Sequence, residues 1–173
     1  MEKSVSWISD FKFWGFIFVI FILLIFLTIL ISRGGLNDSW YDDLQKPEKM
    51  MSRDYIMIAT FVAVILGGIA TYDVYHKADD NNQTIVLTLF VFQILFGLMW
   101  AFLFFSIHNV LGAQYAGLAF LTLTLGLVFF YSSISIWSAM IYLLLVCFFS
   151  YCLYMNHQFL LKNNEEEIFD NFF

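Results

Sequence analysis

Proline occurs once in these 173 residues, at Pro47, charged side chains make up only 13%, and there are two cysteines. Each shortage excludes something. Soluble domains are about a quarter charged and near half apolar. A chain that is 61% hydrophobic, with a mean hydropathy of +0.80, belongs instead to an integral membrane protein. Eight Lys and Arg against 14 Asp and Glu leave a formal charge of −6. That balance excludes nucleic acid as a partner and a polybasic anchor on anionic lipid, both of which need clustered cations. Cys147 and Cys152 lie five positions apart in one apolar run. On a helix they face different ways, so they form neither a disulfide nor a metal pair and read as small apolar residues. His76, His108 and His157 fall at loop or span ends without a carboxylate or thiol at ligand spacing, so no metal centre is expected. Glycine-rich phosphate loops, catalytic constellations and charge ladders within the apolar runs are also lacking. The expectation is a protein that is not an enzyme, an ion pump or a channel.

Long apolar runs are what the chain has in quantity. Five are read as transmembrane helices, at about 11–32, 55–72, 85–107, 113–131 and 136–155, and the first alone reaches about 33 Å. One domain, 1–155, is followed by an acidic tail, 156–173, ending in Ile168-Phe169 and Phe172-Phe173 pairs suited to solvent or to docking. Lys3 and Lys12 precede a first run too long and too bulky at its end for a cleavable signal, so it is read as a retained span. Gly34-Gly35 stops it, Asp54 is the predicted N-cap of the second span, and a polar loop is expected over Asp73–Thr84. Five cations lie on the side of the first loop, 33–54, and three on the other, a weak bias placing that loop in the cytoplasm.

Helices in lipid associate by close backbone approach and interhelical polar contacts. Ala59, Ala63, Gly67 and Thr71 recur every fourth residue, and Gly97 and Ala101 repeat the pattern in the third span. Packing within the chain is favoured over a homodimer face. Asp73 is followed by Val74 and Tyr75 and then at once by His76, Lys77 and further acids, which places it at the membrane interface rather than inside. Gln93 lies deep in the third span, where a lone amide needs a partner; it either bonds across the bundle or lines a cavity.

The stretch Trp40-Tyr-Asp-Asp-Leu-Gln-Lys-Pro47 is a polar island between the first and second spans. One span, a loop bearing Trp-Tyr-x-x-Leu-x-Lys-Pro and four further spans together resemble the TspO/translocator-protein family (TspO/MBR). Trp40, Tyr41, Leu44, Lys46 and Pro47 match the loop signature. Gln93, Trp100, Phe104-Phe105 and His108 match the third span, Trp137, Tyr142 and Leu143 the fifth, and Gly68 a glycine of the second. The chain departs from the family pattern where Glu48, Lys49, Met50, Met51 and Ser52 replace a Pro- and Trp-rich continuation. It departs again at Ile58, Thr60, Gly97, Ile141, Leu145 and Leu153, where the family carries Pro, Trp or Asn.

The resemblance implies an all-α five-transmembrane-helix bundle with a pocket between helices, lidded by the first loop. Family members bind porphyrins, haem and, in animals, sterols. Carried onto this chain, Trp40, Tyr41, Leu44 and Pro47 close the pocket, while Gln93, Trp100 and Tyr142 line it. The implied ligand is a porphyrin, haem or a sterol, held by burial and stacking without covalent chemistry. The loss of orienting polar groups supports a second reading, a structural accessory subunit of a larger membrane complex, with Trp40 and Lys46-Pro47 serving as scaffold contacts. The expected surroundings of this multi-pass protein are membrane lipid, of a mitochondrion or another compartment, with a small apolar ligand or partner subunits.

Overall fold

In the computed structural model the described residues are 15, 19, 22, 26, 39–48 and 50–163, with the side chains of residues 39, 53 and 54 left aside. Most of the first predicted span, the Gly34-Gly35 stop and residues 164–173 of the tail lie outside them. A short helix, α1 (Ser39–Asp43), precedes four long ones: α2 (Arg53–Lys77), α3 (Asp80–Phe105), α4 (Val110–Ser132) and α5 (Ile136–Lys162). Each of the four is long and apolar enough to cross a bilayer. They carry apolar side chains almost all the way round, and no more than a third of the most apolar window of each is buried inside the bundle. Phe129, Tyr115 and Leu144 stand 76%, 65% and 62% exposed. Such surfaces are stable against hydrocarbon and not against water.

Two polar joins extend the helices beyond the hydropathy limits. The expected loop over Asp73–Thr84 shrinks to Ala78 and Asp79, because its polar groups are satisfied within helical geometry. Asp73 Oδ2 accepts from Ser135 Oγ at 2.6 Å, Ser138 Oγ at 2.8 Å and Lys77 Nζ at 2.8 Å, joining the end of α2 to the start of α5. Asp79 then caps α3 by accepting the Asn82 N–H at 2.8 Å. At the other end α3 runs to Phe105 and α4 begins at Val110, so the predicted limits at 107 and 113 shift by two to three residues. Asn109 is the cap here, taking the Gly112 N–H. A Cβ on Gly112 would lie 2.8 Å from the Asn109 amide nitrogen, so this turn is built for glycine. His108 has φ 62°, a left-handed conformation that His tolerates better than most residues. The N-cap of α2 is Ser52, which leaves Asp54 inside the first turn rather than ahead of it.

Helix α5 packs along α4, α4 along α3, and α2 against both α5 and α3. The small-residue stripe of α2 is used within the chain: a Cβ on Gly67 would meet Leu145 Cδ1 of α5 at 3.2 Å. Two cores result. One contains Val74, Val86, Leu127, Tyr131 and Tyr142; the other contains Tyr41, Phe104, Val110, Ala113 and Phe159. The space between them is the candidate site.

Candidate ligand-binding cavity

The floor of the site is a chain of hydrogen bonds across the bundle. Tyr131 donates to Thr71 Oγ1 at 3.0 Å, Thr71 and Tyr142 are joined at 2.7 Å, and Tyr142 donates to Gln93 Oε1 at 3.1 Å. Gln93 Nε2 donates to Thr124 Oγ1 at 3.0 Å, and Thr124 donates to the Phe120 carbonyl at 2.7 Å. Proton counting sets the direction throughout. Thr124 commits its only proton to a carbonyl, so it can only accept from Gln93, which fixes the amide with its nitrogen towards α4. Tyr142 then gives its proton to Gln93 Oε1, and Thr71 must donate to Tyr142. Each of these side chains is buried. The second amide hydrogen of Gln93 is left over by this accounting.

Above that floor lies a cavity of about 220 Å³ whose walls come from α1 to α5 and the loop after α1. Phe90, Trp100, Phe104, Phe105, Phe120 and Phe149 supply most of its aromatic surface. Glycines let two of these rings lie close to the backbone: Gly97 faces the Phe120 ring, where a Cβ would sit 3.3 Å away, and Gly117 brings Trp100 within 3.3 Å of its own Cβ position. Trp100 is thereby laid against the α4 backbone, stacked on Phe104 at 5.9 Å between centroids. The departures from the family pattern at Thr60, Gly97, Leu145 and Leu153 all fall on this wall. Thr60 turns its hydroxyl to the Ile56 carbonyl of its own helix. The surface is therefore almost wholly apolar.

The loop after α1 is fastened over one end. Trp40 stacks flat on His108, centroids 4.2 Å apart and planes 11° apart, and meets Phe104 edge-on at 5.7 Å. The left-handed His108 conformation accompanies this stack. Tyr41 is 7% exposed, in contact with Phe104, Phe105 and Phe159, and carries Lys46 Nζ 5.0 Å above its ring. Asn163, capping α5, clasps the loop in both directions: Gln45 N–H donates to its Oδ1 at 2.6 Å, and its Nδ2 donates to the Gln45 carbonyl at 3.1 Å. Met51 N–H donates to Tyr151 Oη at 3.0 Å. Replacing Asn163 with Ala is expected to speed amide exchange at Gln45 by about fivefold, the worth of one lost hydrogen bond near 1 kcal/mol. An unchanged exchange rate at Gln45 would show that the clasp does not hold the loop.

Of the residues proposed from sequence, Tyr41, Gln93 and Trp100 border the cavity. Trp40, Leu44 and Pro47 do not: Trp40 and Leu44 pack on the outer core at the lid end, and Pro47 is buried beside them in the loop. Tyr142 is a correction of place: it lies behind the lining, its hydroxyl bonded to Gln93 Oε1 at 3.1 Å and to the Gly67 carbonyl at 3.5 Å. Sequence reasoning missed Asn156, buried in the wall and bonded to α4, because hydropathy ends the fifth span at Met155. It missed Asn163 for the same reason. Thr71, Thr124 and Tyr131 carry no signal of their own; only the rotation of neighbouring helices brings them together.

Among the described residues no group of three or more His, Cys, Asp or Glu is placed to hold a metal ion. Four membrane-crossing helices around an apolar, aromatic cavity define an all-helical, integral, multi-pass membrane protein with room for a small molecule. The TspO/MBR family matches residues 16–161, and the chain belongs to that family. A comparison with curated protein sequences gives no match.

Proposed function

We propose that this protein binds a flat or elongated apolar molecule in the cavity between α2, α3, α4 and α5, beneath the loop at Trp40–Pro47, with no covalent step. In this reading the first apolar run supplies a fifth span, as family membership implies. The observation that carries the proposal is an aromatic cavity lying between two packed cores, with Phe120 and Trp100 drawn close to the backbone at Gly97 and Gly117. Packed interiors keep few voids of this size unless something fills them. Porphyrins, haem and sterols are the ligand classes the family suggests. The volume of about 220 Å³ is below the roughly 300–1,000 Å³ usual for drug-sized ligands, so a porphyrin macrocycle or a full sterol needs the loop or the walls to move.

Titrating protoporphyrin and a sterol in parallel into the purified protein, and following tryptophan fluorescence, tests this. Saturable quenching by at least one of them is expected, and it should fall in Trp100→Phe, whose indole borders the cavity. Absent quenching, or quenching identical in the variant, rejects the cavity as the binding site.

A further inference from the structure

Among the described residues, one cavity-lining side chain carries a buried oxygen with no hydrogen-bond partner. Asn156 is 2% exposed and borders the cavity, and its Oδ1 has no hydrogen-bond partner. The orientation of the carboxamide is set by the other side of the group. Asn156 Nδ2 donates to the Val110 backbone carbonyl at 3.1 Å and to Gln114 Oε1 at 2.7 Å. The Val110 oxygen can only accept, so exchanging the amide nitrogen and oxygen would set two acceptors against each other. The orphan is therefore Oδ1. Buried polar groups are nearly always paired, and an exception in an apolar setting calls for a cause.

Position supplies one. Asn156 and Tyr142 are 14 positions apart on α5, about 21 Å of helix at roughly 1.5 Å per residue. Tyr142 marks the hydrogen-bonded floor; Asn156 lies towards the clasped loop, one turn of helix before Phe159. Two α4 acceptors hold the amide still, with its free oxygen almost wholly covered, so a ligand group reaches it only where a covering side chain gives way. Apolar and aromatic residues such as Tyr41, Phe104, Met155 and Phe159 form the rest of that end.

We propose that Asn156 is the specificity residue of the cavity, and that the ligand carries an O–H or N–H donor at the end lying under the loop. This rests on the ligand-binding reading above. A donor satisfies Oδ1; a hydrocarbon or an ether of the same shape leaves it orphaned. Sites that hydrogen-bond a ligand hydroxyl discriminate strongly against the analogue without one, because the protein group is then left unpaired.

A matched pair of probes, 2-naphthol and 2-methoxynaphthalene, separates the cases. They share the ring system and an oxygen, and only the first donates. Each is titrated by calorimetry into the purified full chain, with empty micelles as the blank. The wild-type protein should bind 2-naphthol about tenfold tighter, the yield of one hydrogen bond. Asn156→Leu should lose that preference while binding 2-methoxynaphthalene at least as well as before. Equal affinities in the wild type overturn the proposal, as they would if a water molecule already satisfies Oδ1; so does a preference that survives in Asn156→Leu. The wild-type comparison decides alone if the variant does not fold. Binding of both probes without preference removes only the role of Asn156, whereas binding of neither removes the cavity reading and this one with it.

Discussion

Tyr142→Phe is expected to destabilise the bundle by about 1–3 kcal/mol, although it deletes a single oxygen. The phenol is fully buried, gives its proton to Gln93 Oε1 and takes one from Thr71. Its removal leaves a buried acceptor without a donor and a buried donor with a weaker choice, and no bulk water enters a membrane bundle to replace either. Gln93→Leu should cost a similar amount from the other side. The double variant is the sharper measurement: with both partners apolar neither leaves the other unpaired, so its cost should fall below the sum of the singles by about 0.6 kcal/mol and at most about 1.7 kcal/mol, the average and the maximum for polar contacts between membrane helices. The quantity to measure is unfolding free energy in mixed micelles. Additive costs would mean that the 3.1 Å contact contributes no coupling and that the buried chain is incidental to the fold.

That chain also shows where sequence reasoning stops. Hydropathy located α2 to α5 because lipid-facing and core-facing positions are both apolar, so the signal does not depend on helix rotation. The same insensitivity hid everything polar that depends on rotation. Gln93 stood out as an amide in a run of leucine and phenylalanine, with two readings open, and the structure gives it both positions: bonded across the bundle and bordering the cavity. Its partners Thr71 and Thr124 did not stand out, since threonine is unremarked in a membrane helix. Helix ends were misjudged wherever a polar residue finds its partner on a neighbouring helix. Asp73 with Ser135 and Ser138, and Asn156 with Val110 and Gln114, are two such cases. The loop motif was legible as a pattern of residue types. Its division of labour was not: Tyr41 faces inward while Trp40 faces His108, a split set by the one turn of α1.

Ala63→Phe is expected to weaken binding of any ligand in the cavity by about a hundredfold or more while leaving the protein folded. Ala63 is 5% exposed, borders the cavity and sits in the small-residue stripe of α2 that faces α5. A phenyl ring there must either occupy the void or push α2 away from Leu145. The two routes have opposite signatures. Filling an empty apolar cavity restores contacts that its lining lacks, so the melting temperature holds or rises, and affinity is lost because ligand and ring compete for one volume. Displacing α2 instead strains the Gly67–Leu145 approach and costs about 1–3 kcal/mol, as overpacking of a dense core does. Melting temperature and affinity measured on the same sample tell them apart. Retained stability with lost binding places the ligand between the helices. Retained stability with unchanged affinity would place it elsewhere on the protein, and the clasp of Asn163, the Trp40–His108 stack and the aromatic walls would then be scaffold around a void with no occupant.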